Sequence, residues 1–274
     1  MTQPTLQECS LEVQDRVALL TFQRHDVRNA LSGTALIDDL FATVRWVNHT
    51  SEVSVLIITG DGSAFSSGGN IKDMEKGEGL FGGETLEIQE KYRHLIHQLP
   101  HMMERCDVPT IAAVNGAAMG VGFDLACMCD LRLASTRAKV GSVFINLGLI
   151  PGDGGAFFLP RVVGAQRAAE MILTGRVLNA EEAFEAGVFL EVVEPETLVP
   201  AAKALAARIA SRSPQAIRLA KRLLKAGARS DLQSVLDLSA GYNAMLHQTD
   251  AHKEAVQSLL EQTRQRRAAR EQTS

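Results

Sequence analysis

The spacing of apolar and polar positions changes several times along the chain, and each change marks an element. Residues 11–22 are β-rich and broken at Gln14-Asp15, which predicts a hairpin. Residues 29–47 carry apolar side chains at helical spacing (Leu31, Leu36, Leu40, Phe41, Val44), with Ser32 as a candidate N-cap. Residues 53–59 form a short apolar run closed by Gly60-Asp61-Gly62, the length of one buried strand. Residues 63–83 are polar and glycine-rich and read as a loop, and 84–104 as a charged helix. A second buried strand is predicted at 110–114, ending in Asn115-Gly116, and the small residues of 117–126 lead into a helix. Residues 131–134 and 139–143 again read as strands. Strand, turn, strand and helix therefore recur, which predicts an α/β core of stacked β-β-α turns.

Beyond residue 165 the period is helical almost throughout, with helices expected at 165–173, 180–186, 201–211, 214–226, 232–246 and 250–262. Ser213-Pro214 is a cap followed by proline at the first helical position. The stretch 262–274 holds Arg264, Arg266, Arg267 and Arg270 without a large apolar residue, and is expected to fray or to touch something anionic. The expected division is a core over 1–195 and a C-terminal helical region over 196–274, with no flexible linker.

Composition narrows the function classes. The 274 residues include 28 Lys+Arg and 32 Asp+Glu, a net charge of −4, which disfavours a nucleic-acid partner. Hydrophobic residues make up 46% and charged residues 22%, ordinary for a globular chain. No apolar run approaches the ~18 residues of a membrane span, and residues 1–10 lack a basic segment followed by an apolar one. The expectation is a soluble, cytoplasmic protein without a membrane partner. Four cysteines (Cys9, Cys106, Cys127, Cys129) are too few for a disulfide framework, and the Cys127/Cys129 spacing suits neither zinc nor a redox pair. His94, His97 and His101 share helical spacing, but no carboxylate or thiol ligand set accompanies them, so no metal is expected.

Two glycine-rich turns remain as candidate chemistry: Phe65-Ser66-Ser67-Gly68-Gly69-Asn70-Ile71 and Asn115-Gly116-Ala117-Ala118-Met119-Gly120-Val121-Gly122, each after a predicted strand. Neither is GxGxxG nor a phosphate-binding loop with its Lys-Ser/Thr, so a dinucleotide or triphosphate site is a poor fit. Taken singly, each is a tight turn between elements. Taken in order with Arg28-Asn29-Ala30-Leu31-Ser32, Cys129-Asp130-Leu131-Arg132, the GLIPGDGG turn at 148–155 and Leu173-Thr174-Gly175, they resemble the crotonase superfamily of enoyl-CoA hydratases and isomerases over roughly 11–262.

The resemblance implies a crotonase-like spiral core and an acyl-CoA thioester substrate, with coenzyme A entering as part of that substrate and no separate cofactor. It implies that the backbone amides of Gly69 and Val121 hold the thioester oxygen as charge develops on it, one such donor contributing about 3 kcal/mol. Arg28 and Lys72 align near the CoA phosphates and nucleotide. Gly68, Asn70 and Ile71 would offer backbone groups to adenine and pantetheine. Met74 and Phe144 would line the acyl pocket.

The family's two glutamates fall at Asp124 and at Phe144, which transfers no proton, so two-acid hydration is not expected. An added acid, Asp153, sits in the PGDGG turn, one position after the aspartate of some isomerases and dehalogenases of the family. Asp124 is the expected catalytic acid, with Asp153 beside it. Asp124 is also explicable as an acid in a first helical turn, and Asp153 as an N-cap. Three readings follow: an enoyl isomerase that shifts a double bond, an enoyl-CoA hydratase using Asp124, and a non-catalytic acyl-CoA-binding scaffold. The resemblance also implies a homotrimer, or a hexamer built from two.

Overall fold

The computed structural model describes residues 2–77 and 79–271, with side chains through Arg266. Strands β1 (Cys9–Gln14) and β2 (Val17–Phe22) pair antiparallel. Their link is Asp15-Arg16, with φ of 50° and 64°, the positive pair that a two-residue hairpin turn requires. Helix α1 (Leu36–His49) leads to β3 (Val55–Gly60) and β4 (Ala64–Ser66). Helices α2 (Ile71–Lys76), α3 (Thr85–Lys91) and α4 (Gln98–Glu104) follow, with a π-helical segment, Tyr92–Ile96, between the last two. Strands β5 (Thr110–Val114) and β6 (Ala117–Met119) run into α5 (Val121–Met128). Strands β7 (Leu131–Ser135) and β8 (Lys139–Gly141) run through a 3-10 turn into α6 (Gly155–Val163) and α7 (Ala165–Thr174). Then come β9 (Leu178–Asn179), α8 (Ala180–Glu185), β10 (Glu191–Val193) and α9 (Pro195–Ala210).

One sheet has the order β1-β2-β3-β5-β7-β10, parallel from β2 onward; the other has the order β4-β6-β8-β9. Each passage of the chain places one strand in the first sheet, the next in the second, and returns by helix. That is the expected spiral of β-β-α turns.

The central strands β2, β3 and β5 read as nearly continuous buried runs because both faces of the larger sheet are covered there. Val17, Leu19, Val55, Ile57, Ile111, Ala113 and Leu133 pack with Leu198, Ala202 and Ala206 of α9. The alternate residues, among them Leu20, Phe22, Leu56, Ile58, Ala112 and Val114, face α1 and α5 through Leu36, Leu40, Val44, Phe123 and Leu125. Because α9 is buried on this sheet, the first compact unit is Met1–Ala210, and the expected boundary at 195 moves to its end. The second unit, Ser211–Ser274, consists of α10 (Pro214–Gly227), α11 (Leu232–His247) and α12 (Asp250–Glu271).

Several local expectations change. The stretch 63–83 holds β4 and α2 and is not a plain loop. Helix α1 starts at Leu36 after Ala35, so Ser32 is not its N-cap. Helix α12 continues past 262 to Glu271 in place of a frayed end; Arg264 and Arg266 are exposed, and the Arg267 and Arg270 side chains lie outside the described residues. All four cysteines are buried and free, and burial pushes the Cys9 and Cys127 thiols far above their ordinary range, which removes the reactive thiolate. Among the described residues, no helix is long and apolar enough to cross a membrane.

Candidate active site

The segment 29–32 ties the first glycine turn down. Buried Asn29, at φ 53°, donates its side-chain N–H to the carbonyls of Asp61 (3.0 Å) and Ala64 (2.8 Å). Leu31 N–H donates to Gly68 O at 2.8 Å, and Asn70 N–H donates to Ser32 Oγ at 2.7 Å. Gly68 has φ 84°, and a Cβ there would stand 2.4 Å from Met119 O, so only glycine lets this turn close against the end of β6. On the other side, a Cβ at Gly122 would stand 2.4 Å from Ser66 O. The two glycine turns thus press directly on one another.

Their contact brings Gly69 and Val121 to the wall of one cavity of about 70 Å³. Among the described residues, neither N–H finds an acceptor within the protein. Val121 is the first residue of α5, where an N–H has no intrahelical partner and the helix dipole is positive. The walls are largely apolar: Met74, Phe81, Ile96, Leu99, Phe144 and Leu149, with Ser32 and Tyr92 as polar exceptions. Asp153 is the only carboxyl among the lining residues. A wider, open groove of about 590 Å³ over α8 and β10 contains none of these groups.

The two aspartates are placed differently from the expectation. Asp124 is wholly buried and does not line the cavity; Asp153, 3% exposed, does. Asp124 lies behind it, in room left by Gly155, where a Cβ would sit 2.3 Å from Asp124 Oδ2. Nor is Asp153 a helix cap: Gly154 precedes α6 and no side chain caps it.

Both oxygens of Asp124 and Oδ1 of Asp153 lack a donor when both groups are taken as carboxylates. One shared proton removes most of that deficit. Burial raises the Asp124 pKa well above its ordinary value, and the charge of Asp153 raises it further. Burial also raises Asp153, against the Asp124 hydrogen bond and the His97 field, which lower it. The pair therefore holds a proton between its carboxyls, and burial together with the Asp153 charge favours it on Asp124, donating to Asp153.

Five of the expected residues meet here: Gly69, Met74, Val121, Phe144 and Asp153. The residues expected at coenzyme A do not share the cavity. Arg28, Ile71 and Lys72 are exposed. Gly68 uses its N–H on Ser66 Oγ and its carbonyl on Leu31. The Asn70 side chain caps α2 by accepting from Lys72 N–H at 3.1 Å. The three histidines diverge, His94 to Glu90 (2.9 Å) and His97 to the Gly152 carbonyl (3.0 Å).

Tyr92 was not marked by the sequence. It is one of two tyrosines, inside a charged helical stretch, and its only signal was rarity. It lines the cavity, and burial together with the nearby Asp153 charge raises its pKa.

The enoyl-CoA hydratase/isomerase family profile matches residues 12–267. A crotonyl-CoA hydratase of Syntrophomonas wolfei is 36% identical over 252 residues, covering 92% of this chain and 94% of the relative. A 4-chlorobenzoyl coenzyme A dehalogenase of an Arthrobacter species is 32% identical over 228 residues, covering 82% and 80%. Among solved structures, an enoyl-CoA hydratase from Bacillus anthracis superposes with a TM-score of 0.86 at 32% identity, covering 93% of this chain and 97% of the other.

Proposed function

The chain belongs to the enoyl-CoA hydratase/isomerase family and is an acyl-CoA-processing enzyme of it; from that premise we propose that it moves a double bond by shuttling one proton through Asp153. The observation that carries this reading is that the one carboxyl among the lining residues shares its cavity with two amides that find no acceptor among the described residues. Hydration by two acids acting on one water needs a second acid at the wall, and Phe144 stands in its place.

In this reading the thioester oxygen accepts from Gly69 and Val121 N–H. The Asp153 carboxylate takes a proton from the α-carbon of a 3-enoyl thioester. The C–H electron pair becomes the double bond between the carbonyl carbon and the α-carbon of a dienolate, while the carbonyl π pair moves onto the oxygen held by the amides; the α,β double bond forms when the γ-carbon is protonated and the carbonyl is restored. Asp153 then returns the proton to the γ-carbon, leaving the 2-enoyl thioester. Asp124 keeps Asp153 ionised by donating to it, and the apolar wall excludes bulk water. Coenzyme A is the carrier half of the substrate, not a resident cofactor, and the working form is a homotrimer or a pair of them.

Hydration is the second reading, favoured by the names of the relatives: a crotonyl-CoA hydratase and a short-chain-enoyl-CoA hydratase. Separate incubation with a 3-enoyl-CoA and a 2-enoyl-CoA distinguishes the two. Appearance of conjugated thioester from the first, with little loss of it from the second, is the expected result. Rapid loss of the conjugated thioester with no migration overturns the isomerase reading.

A further inference from the structure

We propose that the π-helical segment Tyr92–Ile96 is a positioning device for Asp153, which turns His97 onto the Gly152 carbonyl and the Tyr92 ring onto the Gly152 α-carbon. The proposal rests on Asp153 being the proton-transfer group.

Residues five apart on an α-helix lie about 140° apart around its axis, at about 100° per residue, and do not act on one neighbour together. A π-turn, closing its hydrogen bond over five residues, narrows that offset. Here His97 N–H donates to Tyr92 O at 2.9 Å, the five-residue bond of a π-turn. The two rings meet edge to face at 6.3 Å between centroids. Both then reach the same residue on another element. His97 Nε2 is 3.0 Å from Gly152 O, and because a carbonyl only accepts, Nε2 carries the hydrogen. A Cβ at Gly152 would stand 2.7 Å from Tyr92 Cε1, so the ring rests on the bare α-carbon.

Gly152 immediately precedes Asp153. The turn has no side-chain cap, and Asp153 is held from behind by the Asp124 hydrogen bond and the backbone at Gly155. What carries this carboxyl to the cavity wall is the turn itself, so its placement follows whatever grips Gly152. The charged and titratable groups acting on Asp153 are Asp124 from α5 and Tyr92 and His97 from the π-segment; the His97 field favours the carboxylate. His97 thereby bears on Asp153 twice, through the turn and through the field that favours the carboxylate. A π-turn is a rare insertion in a helix and recurs where its geometry is used.

The test compares the full-length wild type with His97→Gln, His97→Leu and Asp153→Asn. It measures kcat and KM for 3-enoyl-CoA isomerisation, and the Asp153 titration by carboxyl ¹³C NMR, which needs no turnover. Thioester binding checks folding. His97→Leu is expected to lose kcat about 10–100-fold with KM little changed, the scale of an ångström of misplacement. His97→Gln keeps a donor for Gly152 O and should recover much of kcat; it also carries the test if the leucine variant does not fold. In both, removing the ring that favours the Asp153 carboxylate should move the Asp153 titration to higher pH. Wild-type kcat with an unmoved titration in a folded His97 variant overturns the positioning role, provided Asp153→Asn is inactive. A fully active Asp153→Asn overturns the proton-transfer assignment itself.

Discussion

Asp124 and Asp153 divide one task because they are buried to different ends. Asp153 meets the cavity, and Asp124 sits behind it against Asp153 and the α6 backbone at Gly155. Asp153→Asn should therefore cut proton transfer about 10²–10⁴-fold, while thioester binding, measured by calorimetry with a non-reacting acyl-CoA, survives. Asp124→Asn should lose less, because the asparagine N–H₂ still donates to Asp153; equal losses in the two variants would place Asp124 at the substrate after all. The pair also sets a pH signature. The Asp124 pKa in the folded protein lies above its ordinary value of 3.8, so between the two values the native state holds a proton that the unfolded chain has released. Stability is then full below the ordinary value and falls as pH rises through that interval. Thermal unfolding at a series of pH values should show a shallower decline in Asp124→Asn than in the wild type. Parallel curves would mean that the carboxyl titrates as if in water.

At the scale of elements, the oxyanion site is made by two turns and the start of α5, and its chemistry is in main-chain groups. Val121 occupies the first helical position, where proline is tolerated because its missing N–H was unpaired within the helix. Val121→Pro should accordingly fold, bind acyl-CoA, and lose activity by about two orders of magnitude or more, as when one oxyanion donor is removed; steady-state turnover in a variant of normal thermal stability reads this out directly. Elements of this kind were legible in the sequence where the signal is local. The hairpin break at Gln14-Asp15 and the apolar run of β5 depend on nearest neighbours. Ser32 misled because a serine before an apolar helical pattern resembles a cap, whereas its hydroxyl is held by a backbone N–H 38 residues later. The π-turn was hidden because helical periodicity over 84–104 does not register one added residue. The burial of Asp124 was hidden because it depends on the side chain that Gly155 lacks, in a separate element.

At the scale of the whole molecule, the second unit shows apolar side chains that the single chain leaves in water. Leu224, Leu232, Met245 and Leu259 are each more than 60% exposed, and α11 has no buried residue along its length. Three helices with so little burial have few apolar contacts to offset the entropy of ordering them. α11, with Asp237 as its one Asp, Glu, Lys or Arg residue, has the composition of an interface core, whereas α12 is largely charged. A net charge of −4 on 274 residues sets only a small repulsive barrier to association. A cyclic assembly satisfies such faces without leaving any copy uncovered, since a heterologous contact that closes on itself buries both halves in each subunit. The expectation is three chains, or two rings of three, by light scattering at micromolar concentration. Leu259→Glu should shift the distribution toward the single chain by placing a charge in the interface, and should lower the thermal midpoint in the same step, because association contributes to stability by mass action. A wild type that scatters as one chain at that concentration overturns the assembly and leaves these side chains without a partner of their own kind.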